Sequence, residues 1–203
     1  RLVLFLSDPV PLFTPEESLA QFKLAPGFKI ELVAHEPMVK DPVFIEWDDE
    51  GRMWVGELRT YMMDLDGSGE NRRMSRVMVL EDTDGDGVMD QATPFLEDML
   101  NVRSIAFVDG GVLVVETGGL WFCKDKDGDL RCDERKKLFD FATSAKDNIE
   151  HAENGLHFAL DNWMYNSKSS RKLAWRKGKL IEMPAKARGQ WGMGSDAYGR
   201  LFF

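Results

Sequence analysis

One cluster of aspartates occurs twice in this chain, in the same register. Asp82, Asp84, Asp86 and Asp90 are followed 43 residues later by Asp125, Asp127, Asp129 and Asp133. The segments VMVLEDTDGDGVMDQATPFLED, from Val77, and LWFCKDKDGDLRCDERKKLFDF, from Leu120, align without a gap, with Gly85 over Gly128. Each copy reads as a strand (Val77 to Leu80; Leu120 to Cys123), an Asp/Gly turn, and a second strand (Thr93 to Leu96; Leu138 to Phe141). A period of about 40 to 45 residues with four short strands is the signature of a β-propeller blade. Such a unit cannot bury its faces without neighbours.

The two remaining strands of each blade lie upstream, in a pattern of apolar run, acidic turn and apolar run that occurs four times. The instances are VFIEWDDEGRMWVGEL from Val43, SIAFVDGGVLVVE from Ser104, LHFALDNWMYNS from Leu156 and GMGSDAYGRLFF from Gly192. Their turns carry the Gly, Asn and Asp that positive φ favours, and their flanks are β-branched or aromatic. The predicted fold is therefore all-β, a partial propeller with blades at about 43–96, 102–141, 155–183 and 192–203 onward. An insertion, RTYMMDLDGSGENRRM, follows Leu58, and a tight Lys177-Gly178 turn without aspartates closes the third blade. Propellers close with four to eight blades, and native sheets avoid open edges. The expectation is thus a piece of a longer, six- or seven-bladed protein.

Residues 1–27 read as an N-terminal extension. Thr14-Pro15-Glu16-Glu17 has capping-box spacing with proline at the first helical position, which predicts a short helix through Phe22. GFKIELVAHEP then alternates as an edge strand does, one able to complete a last blade. LVLFL near the start reads either as the tail of a signal peptide or as a first strand. The net charge of −9, with no basic patch, argues against nucleic acid as a partner. No apolar run is long enough to span a bilayer. A secreted-type β domain, periplasmic or at the cell surface, is the expected setting. Cys123 and Cys132 bracket the second aspartate turn, where a hairpin can bring them into bridging range or leave them as a buried strand residue and a turn residue. No CxxCH haem-attachment motif is present.

The aspartates of each cluster occupy positions 1, 3, 5 and 9 of a calcium loop, with glycine at position 6 in the first copy. The bidentate glutamate at position 12 is missing, and Leu130 replaces the glycine in the second copy. Weak, extracellular-range calcium binding is one reading of all eight aspartates; a metal-free Asp/Gly turn is the other.

TPEESLAQFKLAPGFKIELVAHEP, DEGRMWVGELRTY, VLEDTDGDGVMD, LWFCKDKDGDL and HAENGLHFALDNWMY, in that order, resemble the N-terminal part of the membrane-bound dehydrogenase family of PVC-type haem-binding proteins. In that family a propeller is commonly followed by helical repeats and a c-type haem domain. The propeller is in turn similar to soluble pyrroloquinoline quinone (PQQ) glucose and sorbosone dehydrogenases. Their motif of a catalytic histidine ahead of a strand matches Glu150-His151 followed by Leu156, Phe158, Asp161, Met164 and Tyr165. The resemblance implies that His151 is the general base for a sugar hydroxyl, with Glu150 orienting it, since imidazole titrates near working pH. It further implies PQQ as cofactor, with its arginine and lysine contacts in later blades. It implies a c-type cytochrome domain as electron acceptor, and peripheral membrane association through parts outside this chain. Two positions depart from the pattern: Asn154 stands for a glycine, and Met99 for a substrate-contacting glutamine.

Propeller topology puts the loops between second and third strands, and between blades, on one face. Those loops supply Arg59, Thr60, Tyr61, Asn101, Arg103, Glu150, His151, Asn154, Lys168 and Trp191. Of these, Arg59, Tyr61, Asn101, Arg103, Asn154 and Trp191 are the candidate contacts to a sugar or polyol. Two other classes share the fold. One is a calcium-dependent lactonase using Glu57, Asn101 and Asn154; the other is a non-catalytic, calcium-stabilised propeller that binds carbohydrate or protein.

Overall fold

The computed structural model describes residues 12–141 and 151–203. Three four-stranded antiparallel sheets follow one another along the chain. The first comprises β1 (Pro42–Trp47), β2 (Met53–Glu57), β3 (Ser75–Glu81) and β4 (Gln91–Met99). The second comprises β5 (Ser104–Val108), β6 (Gly111–Glu116), β7 (Gly119–Lys124) and β8 (Glu134–Phe139). The third comprises β9 (Asn154–Phe158), β10 (Met164–Ser167), β11 (Arg171–Arg176) and β12 (Lys179–Pro184). The pair β13 (Gly194–Ser195) and β14 (Leu201–Phe202) opens a fourth. Within each sheet the strands meander in sequence order, the arrangement of propeller blades. The fold is a partial β-propeller.

Strand alternation explains how one blade packs on two neighbours. Successive side chains point to opposite faces, and in β6 Val112 and Val114 enter the core shared with blade one while Leu113 and Val115 enter the core shared with blade three. Trp54, Val77, Val79 and Phe95 meet the first pair, and Leu156, Met164 and Leu173 meet the second. An uninterrupted apolar run such as VLVV is therefore what a doubly covered strand requires. Pro94 sits in β4, an outer strand, where a missing N–H disrupts no further ladder. Gly56 is needed for space: a Cβ there would lie 2.0 Å from the Phe44 ring. Gly56→Ala is expected to cost about 1–3 kcal/mol by overpacking, read as a lower midpoint of denaturant unfolding.

Helix α1 spans Pro15–Leu19 with the capping box formed: Thr14 Oγ1 accepts from the Glu17 amide and the Glu17 carboxylate accepts from the Thr14 amide. It ends before Phe22, earlier than its sequence pattern predicts. The 27–37 segment is not a strand. Its alternation finds no partner strand among the described residues; Val33 O accepts one bond from Met89 N, at 2.8 Å, while Val33 and Ala34 pack on the flank of blade one. The LVLFL stretch falls outside the described residues. Cys123 and Cys132 are free thiols rather than a bridge. The Cys123 thiol hydrogen-bonds to Cys132 and pulls the Cys132 pKa down to about 7, while its own is pushed up.

Candidate functional site

In a four-stranded meander the turns β1–β2 and β3–β4 share one end, and the β2–β3 loop and the exit to the next blade share the other. The aspartate turns lie at the first end. Residues 58–74, 100–103, 117–118, 151–153, 168–170 and 185–193 lie at the second.

At that second end the chain gathers a polar and aromatic cluster around Arg103. Its side chain leaves the link between blades one and two and is only 3% exposed. Nε donates to Thr117 Oγ1 at 3.3 Å, and the guanidinium lies over the Trp191 ring, 5.1 Å from its centroid. Burial lowers its pKa to about 10, opposed by the nearby Tyr61 and Glu153. It therefore stays cationic at neutral pH. Tyr61 comes from the blade-one insertion, Glu153 from the entry to blade three and Trp191 from the exit of blade three. Three predicted residues, Tyr61, Arg103 and Trp191, thus meet in one place. Trp191 is 42% exposed, leaving part of its ring open.

The remaining candidates divide. His151 is exposed, two residues before Glu153. Glu150 lies outside the described residues. Asn101 and Asn154 are buried anchors. Asn101 accepts from Thr60 Oγ1 at 3.1 Å and donates to Glu70 O at 3.0 Å, which ties the insertion down. Asn154 donates to Ala152 O and Gln190 O and accepts from Gly192 N at 2.7 Å, clasping the chain around Trp191. Arg59 stands 3.7 Å from Glu57 in an ion pair. Glu57 itself is fully buried, taking the Lys40 amide at 2.8 Å and the Arg76 guanidinium. Glu57, Asn101 and Asn154 all spend their polar atoms on protein partners, so they are not the open oxygen set that a central metal needs.

Sequence reasoning missed Glu153 and Asn166, both buried. Glu153 Oε2 and both amide atoms of Asn166 have no hydrogen-bond partner. A lone acid in the stretch HAENGL was the available signal for Glu153; Asn166 carried none.

At the opposite end, ligand oxygens of Asp82, Asp84 and Asp90 lie within 4.8 Å of one another, as do those of Asp125, Asp127 and Asp133. Asp86 and Asp129 stand apart from these groups, accepting the amides of Val88 and Arg131. The Gly87 amide foremost, with those of Gly85 and Asp86, holds the Asp82 carboxyl below its ordinary range. Among the described residues no helix is long and apolar enough to cross a membrane.

No curated protein matches the chain. Among solved structures, the holo form of the pyranose dehydrogenase PQQ domain from Coprinopsis cinerea is similar at 11% identity and a TM-score of 0.49. The similarity covers 84% of this chain and 46% of that one, so the chain spans less than half of the solved structure. A family model described as a domain of unknown function (DUF7133) matches residues 14–203. That match takes in all three four-stranded blades and the start of the fourth, and the chain belongs to the DUF7133 family.

Proposed function

We propose that the His151 face is the substrate face of an oxidoreductase acting on a sugar or polyol. One observation carries the reading: Tyr61, Glu153 and Trp191, from three separate connections, gather around Arg103 at the propeller end that also carries the exposed His151, two residues before Glu153. An open aromatic ring such as that of Trp191 can take the C–H face of a sugar. In this reading His151 would take the proton of the substrate hydroxyl, and oxidation of that carbon would need a hydride acceptor.

A quinone such as PQQ, when bound, supplies the hydride acceptor. The described residues do not fit it: a tricarboxylate calls for accessible cations, whereas Arg103 is buried against Trp191 and Thr117 and Arg59 is paired with Glu57. The proposal assigns cofactor contacts, and the haem domain that accepts the electrons, to residues outside those described. Dye-linked oxidation of aldoses and polyols by the PQQ-reconstituted protein is the test. Turnover is expected, and none with any such substrate overturns the reading. Calcium-dependent lactone hydrolysis in its place favours a hydrolase, and sugar binding without chemistry favours a binding propeller.

The aspartate turns are given a structural role. Each three-carboxylate group offers the hard oxygen donors that calcium prefers. Binding to the folded state alone raises stability by mass action. With calcium at about tenfold over its Kd, the gain is about 1.4 kcal/mol at each turn. Chelation, which empties both, should then lower Tm by about 6–11 °C, and the double variant Asp84→Ala, Asp127→Ala should show no chelator response. An unchanged Tm in chelator at millimolar calcium leaves the turns metal-free.

A further inference from the structure

Two thiols meet where blades one and two join, at the end that carries the aspartate turns. Cys123 lies in β7, fully buried in the core those blades share, and Cys132 is half-buried against the same core. The chain between them folds back on itself. Asp133 N donates to Lys124 O at 2.9 Å, and Cys123 is the cross-strand partner of Arg135 on β8. This brings the Cys123 thiol into contact with that of Cys132. Cys132 is also tied to blade one, its amide donating to Phe95 O at 2.9 Å.

The two sulfurs differ in access: only that of Cys132 belongs to a residue partly open to solvent. Arg135 stands close enough to act on both. Its guanidinium lies over the Trp121 ring, 4.2 Å from the centroid, and 3.8 Å from Glu116, yet its buried Nε has no hydrogen-bond partner. A buried cationic donor without an acceptor suits a sulfur anion as its partner.

A cleft of about 460 Å³ opens beside Cys132 between the two blades. Phe95, whose carbonyl holds the Cys132 amide, lines it together with Leu130, two residues before Cys132. Its acids are Asp48, Asp49, Glu50, Asp109 and Asp125; its one cation, Arg52, is already paired with Asp48 at 2.6 Å. Such a surplus of one sign attracts a cation and repels an anion.

We propose that Cys132 and Cys123 form a thiol–disulfide exchange site for small cationic disulfides, which reach Cys132 through this acidic cleft. The Cys132 sulfur, having released its proton, attacks one sulfur of the small disulfide. That S–S bond breaks, one half leaves as a thiolate and takes up a proton, and a mixed disulfide forms at Cys132. Cys123 then releases its proton to solvent, and its sulfur displaces the second half, which is protonated in turn. The protein dithiol loses two electrons and two protons, and the small disulfide gains both as it becomes two thiols. The free thiols of this structure are the reduced member of the pair. The oxidised member closes the loop 124–131 covalently. Its position at the opposite end from His151 makes this site independent of the oxidoreductase reading.

The test incubates the reduced protein with cystamine, a dication, or with glutathione disulfide, a dianion, at a pH of about 8 where ordinary thiols begin to ionise. Chelator is present throughout, and intact mass and iodoacetamide-reactive thiols are followed. Cystamine is expected to remove both thiols with a mass loss of about 2 Da, and dithiothreitol to restore them. At about 50 mM salt it should react about tenfold faster than glutathione disulfide, a gap that narrows at about 300 mM. Cys123→Ala, with its melt measured alongside, should stop at the mixed disulfide, a gain of about 75 Da. Cys132→Ser should not react. No mass change at millimolar cystamine, a mixed disulfide that persists in the unaltered chain, equal rates for the two disulfides at low salt, or reaction retained in Cys132→Ser overturns the proposal.

Discussion

Glu57→Ala is expected to destabilise the protein by about 3 kcal/mol, the lower part of the range for breaking a buried pair. Glu57 is 0% exposed and closes β2. One oxygen takes the Lys40 amide, at 2.8 Å, as the chain enters blade one; the other takes the Arg76 guanidinium on β3, with Arg59 at 3.7 Å. Removing the carboxylate leaves a largely buried cation and an amide without an acceptor, and it cuts the tie between the entering segment and the blade. Tm should fall by about 6–12 °C for a chain of this size. Glu57→Gln should lose less, because it still accepts the Lys40 amide. In a double-mutant cycle, Glu57→Ala with Arg76→Met should recover part of the loss, since the stranded charge goes too. A fall in Tm of less than about 2 °C in Glu57→Ala would overturn this account.

Blade two repeats the device. Glu116 closes β6, takes the Leu100 amide at 2.8 Å and pairs with Arg73 at 2.9 Å. It also accepts from Trp121 Nε1. A strand-ending glutamate thus receives both the segment entering its blade and an arginine in each of two blades, and blade three, with Ser167 at the end of β10, uses a different tie. There Ser167 Oγ donates to Gly192 O at 2.8 Å.

The legible and illegible parts of this chain divide by range. Aspartate and glycine turns are local: Asp82 accepts the amides of Gly85, Asp86 and Gly87 within its own turn, so its spacing alone announces a hairpin. Runs such as VLVV announce doubly buried strands for the same reason. The 27–37 segment misled because alternation states only that a strand is possible, whereas a ladder needs a partner strand, which sequence pattern does not supply. The glutamates ending WVGE and LVVE were visible in both blades, yet their partners, the Lys40 and Leu100 amides and the Arg76 and Arg73 guanidinia, are brought together only by tertiary packing. Asn101 and Asn154 have the composition of substrate contacts. Their burial, which turns them into loop anchors, depends on residues 31 and 36 positions away.

His151→Ala is expected to lower turnover of a sugar or polyol by about 10²–10⁴-fold, the usual contribution of a positioned proton acceptor. The effect should fall on kcat. His151 is exposed at the entry to blade three, so its removal should move stability by less than about 0.5 kcal/mol and leave the Arg103 cluster in place. Added imidazole should restore part of the rate in the alanine variant, because the missing function is a base and the position is open to solvent. His151→Gln should be as impaired as alanine, since an amide hydrogen-bonds but accepts no proton near neutral pH. Arg103→Met makes the contrast. Its guanidinium bonds Thr117 and stacks on Trp191, so the variant should raise KM and lower Tm together. Unchanged turnover in His151→Ala removes the histidine from the chemistry, and a parallel loss of Tm reassigns it to holding the entry to blade three.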